Sequence, residues 1–295
     1  EATFIRGNSS GFQIIYLFNP PKNPNAPIME WLKKMEERPD CIHIHTDYRD
    51  VPEEWLGRDL IETAETMMRL DKKQYSWVWL GECIGVDELI YYMFSGRHKG
   101  RPEEGQKYNL IGIGADYGQQ NATTYQACGI NEYQCRLDGL QEYYHSGRET
   151  GKQKSPSEYA ADFADFVESL QEAYGCNIFY LYLDPSARGL QEEIKRTCRQ
   201  RGLAIHFKDA QNEVALGIAR VQKLLTYGIL RISPDQKHLI EEFGLYEYDR
   251  KLLDKGREVP VKEHDHCLDA LRYLVMGLWN RVKRFLPKEE REDRN

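Results

Sequence analysis

The sequence contains no long hydrophobic run and no closely spaced pair of cysteines. Its longest apolar stretches, residues 14–18 and 178–183, are far shorter than the roughly 18 residues that cross a bilayer, so we expect no membrane partner. Seven cysteines are present, an odd number without CxxC spacing, which argues against structural zinc and favours reduced thiols. A charged-then-apolar leader is also missing from the first residues, and we therefore expect an intracellular protein.

The sequence has fewer basic than acidic residues. The 295 residues include 40 Lys and Arg against 47 Asp and Glu, a net charge of −7, and 41% of them are hydrophobic. This composition is typical of a folded protein, and net acidity argues against a polyanionic partner. However, residues 188–237 hold ten basic and five acidic side chains. Charge alone leaves two interpretations open for this segment, a basic binding face and a solvated helix surface.

Residues 1–96 have an α/β pattern that lacks its beginning. The predicted elements are a strand at 13–18, a helix at 28–37, a strand at 41–46 and a helix at 56–70. Glycine, proline and charged residues then cluster at 97–105, which we interpret as a linker. We therefore predict that 1–96 is the C-terminal part of an α/β domain followed by a linker region.

A second domain is predicted over residues 105–285, followed by a charged tail at 286–295 that we expect to be frayed. Its predicted strands are 108–115, 123–130, 132–140, 177–183 and 203–207, with a turn at 129–131. Its predicted helices are 155–174, 186–202, 212–227 and a final one that begins near residue 264. Ser155 and Glu158 form a capping box at the start of the first of these helices. The order is three meandering strands, then alternating helices and strands, then a closing helix.

Four aspartates occur where buried elements emerge. Asp116 and Asp184 each follow a predicted strand, and Asp265 and Asp269 lie at the start of the final helix. Carboxylates at neighbouring strand ends and on a facing helix can bind a pair of hard divalent cations, the arrangement used for phosphoryl displacement. Each aspartate alone has a simpler explanation as a cap or turn residue, but the four together in this fold order favour a metal site.

Three segments resemble the RNase H-like nuclease domain of phage terminase large subunits, the motors that package viral DNA. The most specific is residues 263–273, EHDHCLDALRY, which is similar to the DHxxDALRY signature of that family. Residues 112–118, GIGADYG, followed by NAT at 121–123, are similar to its first-strand segment. Residues 182–187, YLDPSA, are similar to its central DPSA segment. The implied fold class is α/β, an RNase H-like mixed sheet flanked by helices and preceded by a partial P-loop ATPase segment.

The resemblance implies metal ligation by Asp116, Asp184 and Asp269, with Asp265 and His266 as auxiliary members of the catalytic set. Spacing cannot distinguish Asp265 from Asp269 as the main ligand, because positions four apart share a helix face. We favour Asp269. The implied cofactors are two divalent cations, Mg²⁺ or Mn²⁺.

The N-terminal residues resemble the ATPase part of the same family. Residues 15–21, IYLFNPP, are similar to the motif that follows the Walker B strand, in which Asn19 would couple ATP state to movement. The sequence has no GxxxxGK(S/T) loop to hold phosphates. We therefore expect no ATP hydrolysis by this chain alone, which would be a fragment of a longer subunit or a truncated homologue.

DNA contacts are predicted from the basic segment and from a later hairpin. The candidates are Arg188, Lys195, Arg199, Lys208 and Lys251. In the hairpin at 245–263, a DNA groove would be lined by Tyr246, Tyr248, Lys251 and Lys255. An edge hairpin protected by its charges explains the same residues equally well.

The resemblance implies a metal-dependent endonuclease that cuts concatemeric viral DNA during packaging, in the cytoplasm of the host. The implied partners are double-stranded DNA, the terminase small subunit and the portal protein, with an oligomer on the portal left open. Two alternatives remain at this stage: a DNA-gripping or docking fragment that does not cut, and another RNase H-like nuclease of the resolvase or transposase type.

Overall fold

The structure is a computed structural model that describes residues 14–22, 24, 27–84, 88–118 and 121–291. No helix in these ranges is both long enough and apolar enough to cross a bilayer. All seven cysteines are free thiols.

The helices and strands follow one another closely along the chain. The helices are α1 Pro27–Glu36, α2 Glu53–Leu56, α3 Arg58–Leu70, α4 Lys72–Leu80, α5 Gly147–Thr150, α6 Pro156–Tyr174, α7 Arg188–Gln200, α8 Val214–Thr226, α9 Lys237–Phe243, α10 Arg250–Leu253 and α11 His266–Val282. The strands are β1 Ile111–Asp116, β2 Ala122–Asn131, β3 Arg136–Ser146, β4 Phe179–Leu183, β5 Ile205–Asp209 and β6 Leu230–Arg231.

The six strands form one mixed sheet in the order β5-β4-β1-β2-β3-β6. Strands β1, β2 and β3 are an antiparallel meander, and β4 and β5 add to β1 in parallel. This confirms the predicted order of three meandering strands followed by alternating helices and strands. The short strand β6, which pairs in parallel with β3, was not predicted from the sequence.

Helices cover both faces of the sheet. On one face, α6 and α7 bury residues such as Phe163 and Ile194 against Ile111, Ile113 and Leu181. On the other face, α8, α9 and α11 form the second core with side chains of β2, β3 and β4. The capping box predicted at Ser155 and Glu158 is confirmed at the start of α6.

Two glycines of β1 allow α11 to lie very close to the sheet. Because side chains alternate along a strand, Gly112 and Gly114 face α11 together with Asp116. A Cβ atom on Gly114 would lie 1.8 Å from the carbonyl oxygen of Ala270, a separation that no real contact allows. This close approach brings the first turn of α11 next to the end of β1.

Two predicted strands and one predicted turn are wrong. Residues 14–18 and 41–46 have no regular secondary structure and pair with no other segment of the described chain, and Gln13 lies outside the described residues. Their apolar side chains are accordingly exposed, with Leu17 at 92% and Ile42 at 87%. The hairpin turn lies at residues 132–135 instead of 129–131. Gly129 belongs to β2, where a Cβ would lie 2.5 Å from the ring of Tyr108, so this glycine serves packing.

The segment at 245–263 and the C-terminal tail are more buried than expected. Tyr246 and Tyr248 belong to the core on the α11 face, so they cannot stack on DNA bases. Residues 286–291 are packed rather than frayed, with Leu286 buried and Glu290 lying 3.5 Å from the ammonium group of Lys223.

The residues just before the sheet domain are part of its core. Ile90 and Tyr91 are buried, and the ring of Tyr91 packs edge-on against Phe243. The Ile90 N–H donates to the carbonyl of Tyr246 at 2.9 Å. The expected linker also begins inside the fold, since the carbonyl of His98 accepts from the Ile232 N–H at 2.8 Å.

Buried His98 is expected to make stability fall at acidic pH. Its Nδ1 accepts the Ser95 N–H at 3.0 Å and its Nε2 lies 2.9 Å from the carbonyl of Leu225, an arrangement that suits the neutral ring. Burial, together with the nearby charge of Arg97, lowers the His98 pKa from its usual 6.5. The unfolded chain therefore takes up this proton first, and the stabilisation is lost as pH falls below about 6.5.

The measurement is the free energy of unfolding as a function of pH, compared with that of His98→Gln. The variant is expected to be less stable at neutral pH and to lose less stability on acidification. Parallel curves for the two proteins would contradict this role of His98.

Candidate active site

The carboxyl ends of β1 and β4 place two aspartates side by side. The two strands are parallel and pair Ala115 with Leu183, so Asp116 and Asp184 follow at adjacent positions of the same sheet edge. Neighbouring strands are about 4.8 Å apart. Helix α11 begins at this edge, where His266 Nδ1 lies 2.8 Å from Asp116 Oδ2.

Asp116 lies in an environment that disfavours a lone negative charge. Burial raises its pKa above 3.8, and the negative charges of Asp269 and Asp184 raise it further, while the contact with His266 opposes this change. The same contact raises the pKa of His266 above 6.5. The carboxylate and the imidazole therefore hold a shared proton more readily than either group would alone.

Asp269 is held by a buried arginine one turn further along α11. Arg272 is only 2% exposed and its Nη2 donates to Asp269 Oδ1. The Arg272 Nε and Nη1 atoms have no hydrogen-bond partner among the described residues. Burial still raises the pKa of Asp269, although Arg272 acts in the opposite direction. Asp269 is therefore the principal partner of a buried cation.

Asp184 has a different environment, since hydrogen bonds stabilise its charge. Its Oδ1 accepts the Ser186 N–H at 2.8 Å and its Oδ2 accepts from Asn212 Nδ2. Although burial pushes the pKa upwards, these bonds lower the pKa of Asp184 below 3.8. Asn212 was not predicted as a site residue, and no motif in the sequence marks it.

Asp265 precedes α11 without capping it. The N–H of Leu268 instead donates to Glu242 Oε2 of α9 at 2.9 Å. Glu242 supports the start of the helix in this way, and burial raises the pKa of Glu242 to about 7. The pKa of Asp265 is likewise raised by burial. The sequence did not reveal Glu242, because it comes from a separate helix.

The donor set has the chemistry and charge that suit a divalent cation. Carboxylate oxygens are the ligands that Mg²⁺ and Mn²⁺ prefer, and burial raises the pKa of Asp116, Asp265 and Asp269, so a bound cation would stabilise their charged forms. As the side chains stand, no three His, Cys, Asp or Glu groups in the described ranges surround one point. Ion pairing of Asp269 with Arg272 and of Asp116 with His266 occupies part of the set.

The predicted DNA-contacting residues do not form one surface. Arg188, Lys195 and Arg199 belong to α7, on the sheet face opposite α11. Lys195 is paired with Glu192 at 2.8 Å. In β5, Ile205 and Phe207 pack on the α7 side of the sheet. Because side chains alternate along a strand, Lys208 lies on the opposite side, which α11 covers.

Two further predicted residues lie outside these elements. Lys251 is exposed on the short helix α10. Asn19 is exposed in the irregular N-terminal segment, next to Pro20, whose carbonyl accepts from the indole N–H of Trp77 at 2.8 Å. Within the described residues, neither Lys251 nor Asn19 contacts the aspartate cluster. The coupling role of Asn19 stays a prediction.

The strand order and the position of the carboxylates define an RNase H-like mixed α/β domain. The predicted fold class is thereby confirmed, and the comparisons with known proteins agree with it.

Residues 2–82 match the family model described as phage terminase large subunit. The large terminase of a thermophilic bacteriophage is 28% identical, with a TM-score of 0.69 over 88% of this chain and 61% of that chain. The same protein in complex with ADP gives a TM-score of 0.68, also at 28% identity, over 86% of this chain and 60% of that chain. The chain thus spans about three fifths of the length of these relatives.

The nuclease domain of the P22 large terminase shares the fold. Its TM-score is 0.51 at 17% identity, and the match covers 70% of this chain and 99% of that domain. No curated protein matches the chain. The family-model match over residues 2–82 and the structural similarity support a phage terminase large subunit, and the chain is similar in fold to structures of both the ATPase and the nuclease parts.

Proposed function

We propose that the chain is a metal-dependent endonuclease that cuts concatemeric viral DNA during genome packaging in the host cytoplasm. The observation that carries the proposal is the meeting of Asp116 and Asp184, at adjacent strand ends, with His266 and Asp269 in the first turn of α11. The proposed partners are double-stranded DNA, the terminase small subunit and the portal, with an oligomer on the portal left open.

The proposed cation ligands are Asp116, Asp184 and Asp269, with Asp265 as an auxiliary. When bound, divalent cations of the Mg²⁺ or Mn²⁺ type would supply an activated water and stabilise the leaving oxygen of a phosphodiester. Ser186 and Asn212 keep Asp184 ionised and oriented. His266 orients Asp116 and can hold a proton at Nδ1, since its pKa is raised by this contact.

The remaining predicted roles are part of the same proposal. The division into the end of an ATPase domain at residues 1–96, a nuclease domain at 105–285 and a tail at 286–295 stays a prediction, and the packing of Ile90, Tyr91 and Leu286 into the core extends the proposed nuclease domain at both ends. Arg188, Lys195, Arg199, Lys208 and Lys251 would contact DNA phosphates, and Asn19 would couple an ATPase to this domain. ATP hydrolysis by this chain itself is not expected.

A second candidate function is DNA gripping without cleavage. The observation that favours it is the engagement of Asp269 by Arg272, which leaves no three acidic or imidazole groups around one point in the described ranges. In that case the pair of His266 with Asp116 would hold α11 to the sheet, and DNA binding would not depend on a cation.

Plasmid nicking by the purified chain separates the two candidates. With Mn²⁺ or Mg²⁺ the chain is expected to nick, and Asp184→Ala is expected to fall to the level seen with EDTA. Asp209→Ala is the matched control, because this exposed carboxylate ends the neighbouring strand β5 opposite Leu183. Undiminished nicking by Asp184→Ala would contradict the site assignment, and metal-independent binding without nicking would favour gripping.

A further inference from the structure

Three aromatic rings form a row on the α11 face of the sheet, beside the edge strand β5. Tyr182 and Tyr180 of β4 have ring centroids 6.4 Å apart and planes 15° apart. Tyr180 pairs in register with His206 of β5, and these rings are 4.8 Å and 25° apart. Tyr182 is buried, Tyr180 is partly buried and His206 is exposed. The last ring of the row is thus open to solvent.

Two cations flank this row. The guanidinium of Arg281, an exposed residue near the end of α11, lies 5.9 Å from the centre of the Tyr180 ring. Lys208 follows His206 by two residues and so lies on the same face, opposite Tyr182 in the register. Neither cation forms an ion pair with any residue the structure describes. We call Tyr180, His206, Lys208 and Arg281 the edge strip.

The edge strip leads to the aspartate cluster. Tyr180 precedes Asp184 by four residues of extended chain, a distance of about 13 Å. Asp209, the acidic neighbour of Lys208, pairs in register with Leu183, whose side chain belongs to the core on the α7 side. The strip itself therefore carries no carboxylate.

We propose that the edge strip binds a single-stranded segment of DNA and directs it towards Asp184. An unpaired base would stack on His206, and phosphates would contact Lys208 and Arg281. A base can stack on an aromatic ring only when it is not stacked within its own duplex, whereas the phosphates of a duplex can be bound by cations alone. The aromatic members therefore select the single strand. DNA as the partner rests on the proposed function.

The test is fluorescence anisotropy with the full chain, a labelled oligonucleotide of about 12 nucleotides and its duplex, in EDTA. His206→Ala is expected to weaken single-strand binding about tenfold, with little effect on the duplex, and His206→Phe is expected to restore it. Arg281→Ala is expected to reduce the salt dependence of single-strand binding by about 0.7 in log–log slope, the value for one phosphate contact.

Lys99→Ala is the matched control for Arg281→Ala. Lys99 is also an exposed cation over a ring, 5.6 Å from the centre of Phe94, but it pairs with Ile232 beside the opposite edge of the sheet. This variant is expected to bind as the unchanged protein does. Unchanged single-strand binding by His206→Ala, or an equal loss for single strand and duplex, would overturn the proposal.

Binding in EDTA does not depend on cleavage, so the two proposals fail separately. If the chain binds single strands through His206 but never nicks plasmid, the edge-strip proposal stands and the nuclease proposal fails. If the chain nicks plasmid but His206→Ala binds single strands equally well, the nuclease proposal stands and the edge-strip proposal fails.

Discussion

Asp269→Ala is expected to lower the free energy of unfolding by about 3 kcal/mol, in addition to abolishing cleavage. The reason is Arg272, whose guanidinium is almost completely buried and has its only side-chain ion pair in the described structure with Asp269. Removing one partner of a buried pair leaves an uncompensated charge, which typically costs about 3–5 kcal/mol. We expect the lower end of this range, because the change also relieves repulsion between Asp269 and Asp265.

Two further variants isolate the cause in urea denaturation experiments. The double change Asp269→Ala and Arg272→Met removes both charges and is expected to regain most of the lost stability. Asp184→Ala is expected to cost about 1 kcal/mol, since its carboxylate is partly exposed and mainly caps a turn. A denaturation midpoint of Asp269→Ala equal to that of the unchanged chain would contradict the buried-pair argument.

This contrast decides which variant can report on catalysis. Loss of cleavage in Asp269→Ala would combine a missing ligand with a weakened fold. Loss of cleavage in Asp184→Ala would reflect the site alone, because the protein is expected to remain folded.

Gly114→Ala is expected to destabilise the protein by about 3 kcal/mol, the upper end of the usual cost of overpacking. The new Cβ would meet the main-chain carbonyl of Ala270, which cannot rotate away as a side chain does. The first turn of α11 would have to move from the sheet and carry His266 away from Asp116. Cleavage is therefore expected to fall together with stability.

Gly112→Ala provides the comparison on the same strand and the same face. Its Cβ would lie 2.8 Å from Leu278 Cδ1, the end of a flexible side chain, and we expect a cost of about 1 kcal/mol. Thermal denaturation and plasmid nicking of both variants provide the measurements. Similar losses in the two variants would show that the contact with Ala270 is not special.

The sequence predicts the parts of the fold whose cause is local. The Ser155 capping box and the alternation of helices and strands after residue 155 were readable because caps and periodicity act within a few residues. The candidate aspartates were predicted from motifs, and the parallel ends of β1 and β4 explain why Asp116 and Asp184 lie side by side.

Features that depend on distant partners could not be read in this way. The continuous β-branched and aromatic run at 14–18 is typical of a buried strand, but a strand also needs a neighbour, and pairing is absent in the described residues. Gly129 looked like a turn residue because its partner, Tyr108, is 21 positions away. Asn212 and Glu242 support the site from separate elements, so no local spacing marks them.

The packing of Ile90 and Tyr91 determines where this protein can be divided. A piece beginning at residue 105 would lose these two side chains and the hydrogen bonds to Tyr246 and Ile232, and would expose the ring of Phe243. A portion that retains these contacts must include Glu88, whose carbonyl accepts the Tyr248 N–H at 2.8 Å. Limited proteolysis that trims the N-terminal helices should therefore stop upstream of Ile90 and not in the glycine-rich stretch after His98.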